Sequence, residues 1–391
     1  MAQMDGLGYS PNQGDFVVHD SVRIAITGAE GFLGWHLRSH LHRLEGAGPA
    51  CVLQPDFDSE PALAQAIGPA SVILHLAGMN RGPEAEVYET NLQLARKLTA
   101  ALDLLDTTPA ILFANSTHSL GDSAFGRSKR EAARILGDWC RVRGARFVDV
   151  VLPHLFGEGG LPFYNSGFAT FCHQLAHGEE PQILVDGEVE LIHAQRVAAR
   201  FLELASDPSA AGQVRVVGAP MRVSEALGRL RNLHETYQAG IIPQLSDPLE
   251  LEFFNTYRSY LYPDHYPVRL KLHTDDRGGL FEAVKSLHGG QAFLSTTRPG
   301  VTRGRHYHHQ KLERFLVVSG EAEIRIRRLL GDEVRVFRVS GAEPCFIDMP
   351  TFHTHDITNV GDQDLMTLFW SHEIFDPSRP DTYSEPVILE P

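Results

Sequence analysis

The chain has 391 residues, enough for two or three domains of ordinary size, and its 43% hydrophobic and 21% charged residues are those of a globular protein, not a disordered or fibrous one. A formal charge of −14 argues against a general nucleic-acid binder or a protein that sits on an anionic membrane. It leaves room for a phosphorylated ligand, which local backbone amides can capture.

The first 20 residues are polar and glycine-rich, without the basic start and apolar core of a signal peptide; residues 1–21 read as a flexible extension. No apolar run approaches the roughly 18 residues of a membrane span. Four widely spaced cysteines (Cys51, Cys140, Cys172 and Cys345) with apolar neighbours and no C-x-x-C fit free thiols in a reducing compartment, so a cytoplasmic location is expected. Short apolar runs at 22–27, 50–53, 71–76, 110–114 and 146–152 read as strands. Helical patterns at 33–44, 85–105 and 125–143 lie between them. Strands alternating with helices predict α/β architecture with a doubly wound parallel sheet.

The stretch 236–265, with Pro243, Pro248 and Pro263, reads as a joining segment. After about residue 265 the rhythm changes to short alternating segments: QAFLSTT, RFLVVSG, AEIRIRRL, EVRVFRV, CFIDM and LMTLFW, separated by Gly, Pro and Asp turns. These predict an all-β domain, a small antiparallel barrel. The expected division is therefore 22–265 and 266–391.

Residues 24–34 read IAITGAEGFLG, with Gly28, Gly31 and Gly34 between a strand and a helix. A chain that turns sharply there and lets a pyrophosphate approach its backbone needs glycine, and the helix N-terminus favours the anion. The spacing resembles the extended branch of the short-chain dehydrogenase/reductase superfamily, which has a Rossmann-type fold. That resemblance implies NADP or NAD held by Gly28, Gly31, Phe32, Leu33 and Gly34, by Leu76, Ala77 and Gly78 in HLAG at 75–78, and by Lys129. It also places Asn91 in the following helix and makes Ser116, in LFANSTHS at 112–119, the catalytic hydroxyl. Asp56 and Asp58 beyond the second strand are weak pointers to NAD. The superfamily's Tyr-x-x-x-Lys uses Tyr as proton donor and Lys to hold the ribose and lower the Tyr pKa. Here FGRSK at 125–129 keeps Lys129 but has Phe125 at the Tyr position. Three readings stay open: a binding scaffold without turnover, a substitute donor among His118, Ser116 and Ser123, or a shifted motif.

The 20 histidines cluster at His306, His308, His309, His353 and His355. Two histidines one residue apart on a strand share a face. With Gly300, Glu313, Gly320, Pro350 and Asn359 the pattern resembles the two signature motifs of the cupin superfamily, Phe352 standing where a glycine is usual. The resemblance implies a divalent metal, zinc first, on His306, His308, Glu313 and His355; residue types alone also suit iron, nickel or manganese.

The domain order, together with HLAGMNR (75–81), LFG (155–157), YNSGFATFC (164–172), DDRG (275–278), FLVVSG (315–320) and FDPSRPDTY (375–383), resembles the bifunctional capsular-polysaccharide enzymes acting on UDP-2-acetamido-2,6-dideoxy-4-keto hexoses. The resemblance implies that the cupin domain epimerises carbon 3 of a nucleotide-diphosphate keto sugar and the Rossmann domain reduces carbon 4, in a homodimer. It makes His309 the proton-transfer candidate. Arg277 would bind the diphosphate or keto oxygen, or else pair with Asp275 or Asp276. Val151, His154 and ELIHAQRV at 190–197 depart from the family pattern, as Phe125 does. Alternatives are an epimerase with a silent Rossmann scaffold and a non-enzymatic metal-binding scaffold.

Overall fold

The computed structural model describes residues 22–43 and 48–389; the extension expected at 1–21 lies outside them. The chain divides into two compact units, one of residues up to Leu152 together with Gln195–Val216, the other of Pro153–Ala194 and Val217–Pro391.

The first unit holds strands β1 (Ile24–Thr27), β2 (Ala50–Val52), β3 (Val72–His75), β4 (Ala110–Ser116), β5 (Phe147–Leu152) and β6 (Gly212–Arg215). Helices α1 (Phe32–His42), α2 (Glu60–Ile67), α3 (Glu84–Leu102) and α4 (Ala124–Arg143) connect the first five. The sheet is wholly parallel, in the order β2-β1-β3-β4-β5-β6. All four residues of β1 and of β3 are buried, as expected for strands covered on both faces. Ile73, Leu98, Phe113 and Leu136 form part of one core. The order reverses direction at β1, whose neighbours β2 and β3 lie on opposite sides. The crevice at the carboxyl ends of β1 and β3 is where open α/β sheets bind ligands.

In the second unit, strands His154–Phe156, Glu188–His193 and Ala219–Arg222 make a small sheet beside helices Gly167–Ala176, Val223–Gln238 and Pro248–Leu261. The stretch 236–265, read from its prolines as a joining segment, therefore carries ordered helix. Asp247 caps the last of these helices by accepting from Leu249 N (2.9 Å), and Pro248 takes the first position, where its missing N–H costs nothing. This helix buries Phe253, Phe254 and Tyr257 in one cluster with Leu312 and Trp370 of the β-region. That shared core is why the expected 265/266 division falls inside the second unit.

The β-region comprises β7 (Gln291–Thr297), β8 (Thr302–Tyr307), β9 (Glu313–Ser319), β10 (Glu321–Arg328), β11 (Val334–Ser340), β12 (Cys345–Met349), β13 (His353–Asn359), β14 (Leu365–Ser371) and β15 (Tyr383–Ser384). One antiparallel sheet runs Val268–Arg269, β12, β9, β14, β7; the other runs β11, β10, β13, β8, β15. Phe315, Val317, Ile324, Ile326, Ile357 and Phe369 fill a common core from both sheets. A buried polar knot adjoins it: Arg314 grips Asp348 through two bonds (2.6 and 2.8 Å), and Tyr237 donates to the same carboxylate at 2.6 Å. Among the described residues no helix is long and apolar enough to cross a membrane.

Candidate functional site

The first candidate site is the glycine turn after β1. Gly28 has φ +69°, and a Cβ there would lie 2.8 Å from Ala77 N, so only glycine lets this turn meet the segment after β3. Gly31 N donates to Gly28 O at 3.0 Å. A Cβ on Gly34 would fall 2.3 Å from Gly28 O, so glycine is needed there for α1 to back onto the turn. Among the described residues no side chain caps the N-terminus of α1, whose first turn contains Phe32 and Leu33, an arrangement that suits an anion. Thr27 Oγ1 pairs with His75 Nδ1 (2.7 Å) and accepts from Ala77 N (3.2 Å), fixing Leu76–Gly78 beside the turn. Burial, with a smaller effect from Lys129, pushes the His75 imidazole down to about 3, so it is neutral.

Asn91 brackets the next residue, accepting from Met79 N and donating to Met79 O, both at 2.8 Å. Lys129 Nζ donates to Ala114 O (2.7 Å) and lies 4.6 Å from the Phe113 ring centroid. It would stand 3.4 Å from a Cβ on Gly78, at the mouth of the crevice. Burial pulls the Lys129 amine down to about 8, against the opposing pull of Asp149. Ser116 ends β4, and its Oγ accepts from His118 N at 3.2 Å. Phe125 occupies the first turn of α4, half-buried, 5.9 Å from Lys129 Nζ and 6.1 Å centroid to centroid from the His118 ring. The glycines, HLAG, Ser116 and Lys129 thus gather at the carboxyl ends of β1, β3 and β4. The cradle fits a dinucleotide pyrophosphate, but the Phe125 position offers no hydroxyl. Asp56, a weak NAD pointer, spends its carboxylate on Leu53 N (2.6 Å).

The second candidate site lies between the two sheets of the β-region. His306, His308, Glu313 and His355 each offer one ligand atom, all within 4.8 Å of one another. Gly304 (φ +97°) and Arg305 (φ +67°) form a bulge in β8 that re-aims the strand, so that His306 pairs with His355 across to β13. Glu313 Oε2 is the hub, 3.1 Å from His308 Nε2, 3.7 Å from His355 Nε2 and 3.9 Å from His306 Nε2. His308 Nδ1 bonds the carbonyl of Asp381 (2.6 Å) and His355 Nδ1 that of His353 (3.0 Å). A carbonyl only accepts, so each Nδ1 carries the proton and each Nε2 presents a lone pair. Both Nε2 atoms are buried and turned toward the Glu313 carboxylate. The three histidines hold the Glu313 carboxyl well below the usual range despite its burial, and burial pushes His355 down to about 4. Two nitrogen lone pairs, the His306 imidazole and a carboxylate around one point fit a divalent metal.

His306 and Glu313 line a cavity of about 240 Å³, with Lys311, Ser371 and Glu373 among the other lining residues. Lys311 is buried; its Nζ donates to Thr382 Oγ1 (3.3 Å) and stands 3.8 Å from Glu373 Oε1. Burial raises the Glu373 carboxyl above its ordinary value. Ser371 Oγ is buried without a partner. These three were missed in the sequence. Lys311 carried a signal, being two residues before Glu313 and so on the same face in an extended chain. Ser371 carried none, because only the pairing of β9 with β14 sets it opposite Glu313.

His309 is not among the lining residues. It sits in the bend that follows β8 and packs at 4.9 Å from the Phe352 ring and 4.8 Å from Tyr383. Phe352 holds φ +58°, which accounts for the glycine usual there in the cupin pattern. Arg277 also lies away from the cavity lining. It sits on the exposed hairpin of strands His273–Asp275 and Gly278–Leu280 with its guanidinium on Asp275, a surface version of the salt-bridge alternative.

Comparison with known proteins matches residues 24–218 to the NAD dependent epimerase/dehydratase family and residues 273–383 to the polysaccharide biosynthesis C-terminal domain. The chain is 31% identical over 368 residues to UDP-2-acetamido-2,6-beta-L-arabino-hexul-4-ose reductase of Pseudomonas aeruginosa, covering 93% of this chain and 98% of that one. It is 27% identical over 123 residues to the spore coat polysaccharide biosynthesis protein SpsL of Bacillus subtilis, 29% of this chain and 82% of that one. Among solved structures, the capsular polysaccharide assembling protein CapF of Staphylococcus aureus is similar at 31% identity and a TM-score of 0.58, covering 94% of this chain and all of that one.

Proposed function

As the chain belongs to the family of bifunctional capsular-polysaccharide enzymes, an epimerase/reductase-type Rossmann domain followed by a polysaccharide-biosynthesis β-domain, we propose that it is a nucleotide-sugar enzyme whose β-domain inverts carbon 3 of a nucleotide-linked 4-keto-6-deoxy sugar. The observation that carries this reading is the cavity where His306 and Glu313 of the four-residue cluster meet buried Lys311 and half-exposed Glu373.

A hydrogen beside a ketone becomes removable when the negative charge that develops on oxygen is stabilised. His306, His308, Glu313 and His355 would hold a divalent metal, zinc first, which would supply positive charge at the cavity wall. Lys311 places its ammonium on the keto oxygen. Glu373, raised by burial toward the pH where a carboxylate accepts and returns a proton, takes the hydrogen from carbon 3. The C–H electron pair moves into the C3–C4 bond and the keto oxygen becomes an enolate. A proton delivered from solvent water to the opposite face restores the ketone and inverts the centre, and Glu373 releases its proton to solvent. The role first expected of His309 passes to this pair, because His309 lies behind the Phe352 and Tyr383 rings.

The Rossmann domain would hold NADP or NAD, which would supply hydride when bound and reduced. Gly28, Gly31 and Gly34 would admit the pyrophosphate, and Lys129 would bind the ribose. Reduction of the 4-ketone proceeds slowly, since Phe125 removes the proton donor. Incubation with a UDP-linked 4-keto-6-deoxy-N-acetylhexosamine, followed by NMR without reduced nicotinamide, tests the reading. It expects a carbon-3 epimer with wild type and none with Lys311→Met; an unchanged sugar with wild type would defeat it.

A further inference from the structure

The motif FDPSRPDTY at 375–383 is the most distinctive sequence feature that the proposed chemistry leaves unused. Asp381, near its end, holds φ +38°, a backbone state that non-glycine residues keep only where their surroundings impose it. Its carboxylate accepts three successive main-chain N–H groups, from His309 (3.0 Å), Gln310 (2.9 Å) and Lys311 (2.7 Å). Three amides converging on one carboxylate make a backbone nest, and each bond is charge-assisted. The carbonyl of the same residue accepts His308 Nδ1–H at 2.6 Å. Its neighbours on either side, Pro380 through its carbonyl and Thr382 through Oγ1, accept from Lys311 Nζ.

We propose that Asp381 is the positioning residue of the β-domain site, locking the turn 309–311 so that His308 presents Nε2 to the cluster and Lys311 presents its amine to the cavity. The inference rests on the reading of His306, His308, Glu313 and His355 as a metal site. A turn needing only stability would be served by the carboxylate–amide bonds. The separate carbonyl bond to the imidazole selects one tautomer of a ligand, and that is a functional constraint. Outer partners of metal-binding histidines are worth roughly 10–100-fold in metal affinity.

The test is cobalt(II) titration of the metal-free protein followed by visible absorption, with the ¹⁵N resonances of the His308 ring recorded before metal is added. Asp381→Ala is expected to weaken cobalt binding about 10–100-fold and to turn the fixed His308 tautomer into an exchanging mixture. Asp376→Ala, on the same segment but with its carboxylate on Ser378 in its own exposed turn, is expected to change neither. A folded Asp381→Ala protein with wild-type affinity and a wild-type tautomer would overturn the proposal. Should that variant not fold, Asp381→Asn decides: it keeps one acceptor oxygen, so a smaller loss of affinity supports the proposal and no loss overturns it. Wild type that takes up no cobalt would sink the metal reading itself. In that event the His308 tautomer in the metal-free variants still decides whether Asp381 positions the ring.

Discussion

Phe125→Tyr adds one oxygen atom to the Rossmann site and is expected to restore the missing proton donor. Phe125 is half-buried, so a para hydroxyl needs no cavity of its own, and the substitution is expected to change stability by no more than about 0.5 kcal/mol. Lys129 Nζ stands 5.9 Å from the ring centroid, close enough for its charge to favour phenolate and lower the new hydroxyl's pKa. General acid catalysis is worth about 10²–10⁴-fold, roughly 3–5 kcal/mol of barrier. With the nucleotide-linked 4-keto sugar and reduced nicotinamide dinucleotide, loss of reduced-cofactor absorbance should accelerate by that factor, with dinucleotide affinity unchanged. A Phe125→Tyr protein that binds cofactor as wild type does but reduces no faster would refute the argument, placing the donor elsewhere in the crevice.

Other perturbations test separate parts of the account. Lys129 has a folded-state pKa of about 8 against 10.5 ordinarily. Between those values the unfolded chain holds a proton that the folded chain lacks, so stability rises with pH across that window. The buried charge costs the folded protein roughly 3 kcal/mol below pH 8. Lys129→Met should therefore raise the thermal midpoint most at pH 7 and progressively less toward pH 10; an equal gain at both would contradict this. Glu313→Gln removes the only carboxylate of the cluster. The zinc-dependent gain in stability, about 3 kcal/mol at a hundredfold excess over Kd, should disappear, as read by thermal unfolding with and without zinc. Asp348→Asn leaves the buried Arg314 without its counter-charge and should cost about 3–5 kcal/mol in urea unfolding; a loss under 1 kcal/mol would mean that water reaches the pair.

The parts of the molecule written in local pattern were legible. The glycine turn follows from contiguous residues, as do the five strands to Leu152 with three of the four helices between them, α2 having gone unread, and the short β segments after 290. The four clustered side chains were found because two spaced motifs carry them. What escaped depends on contacts distant in sequence. Pro248 looks like a break until Asp247 is seen capping a helix whose aromatic face joins the core of Leu312 and Trp370. Ser371 reaches the cavity through strand register, and Glu373 lies two residues beyond it on the same face. His309 was expected to transfer the proton, but it falls in the bend after β8 and packs on Phe352 and Tyr383, a placement that the motif alone does not specify.

The central claim is that the Lys311 cavity exchanges the hydrogen on carbon 3. The direct measurement is mass spectrometry of the nucleotide-linked 4-keto-6-deoxy sugar after incubation in deuterated water without reduced nicotinamide, for wild type and Lys311→Met. The account expects one deuterium at carbon 3 with wild type, and a rate lower by about 10²–10⁴ with the variant. No deuterium at carbon 3 with wild type, or the same rate in both proteins, would contradict it.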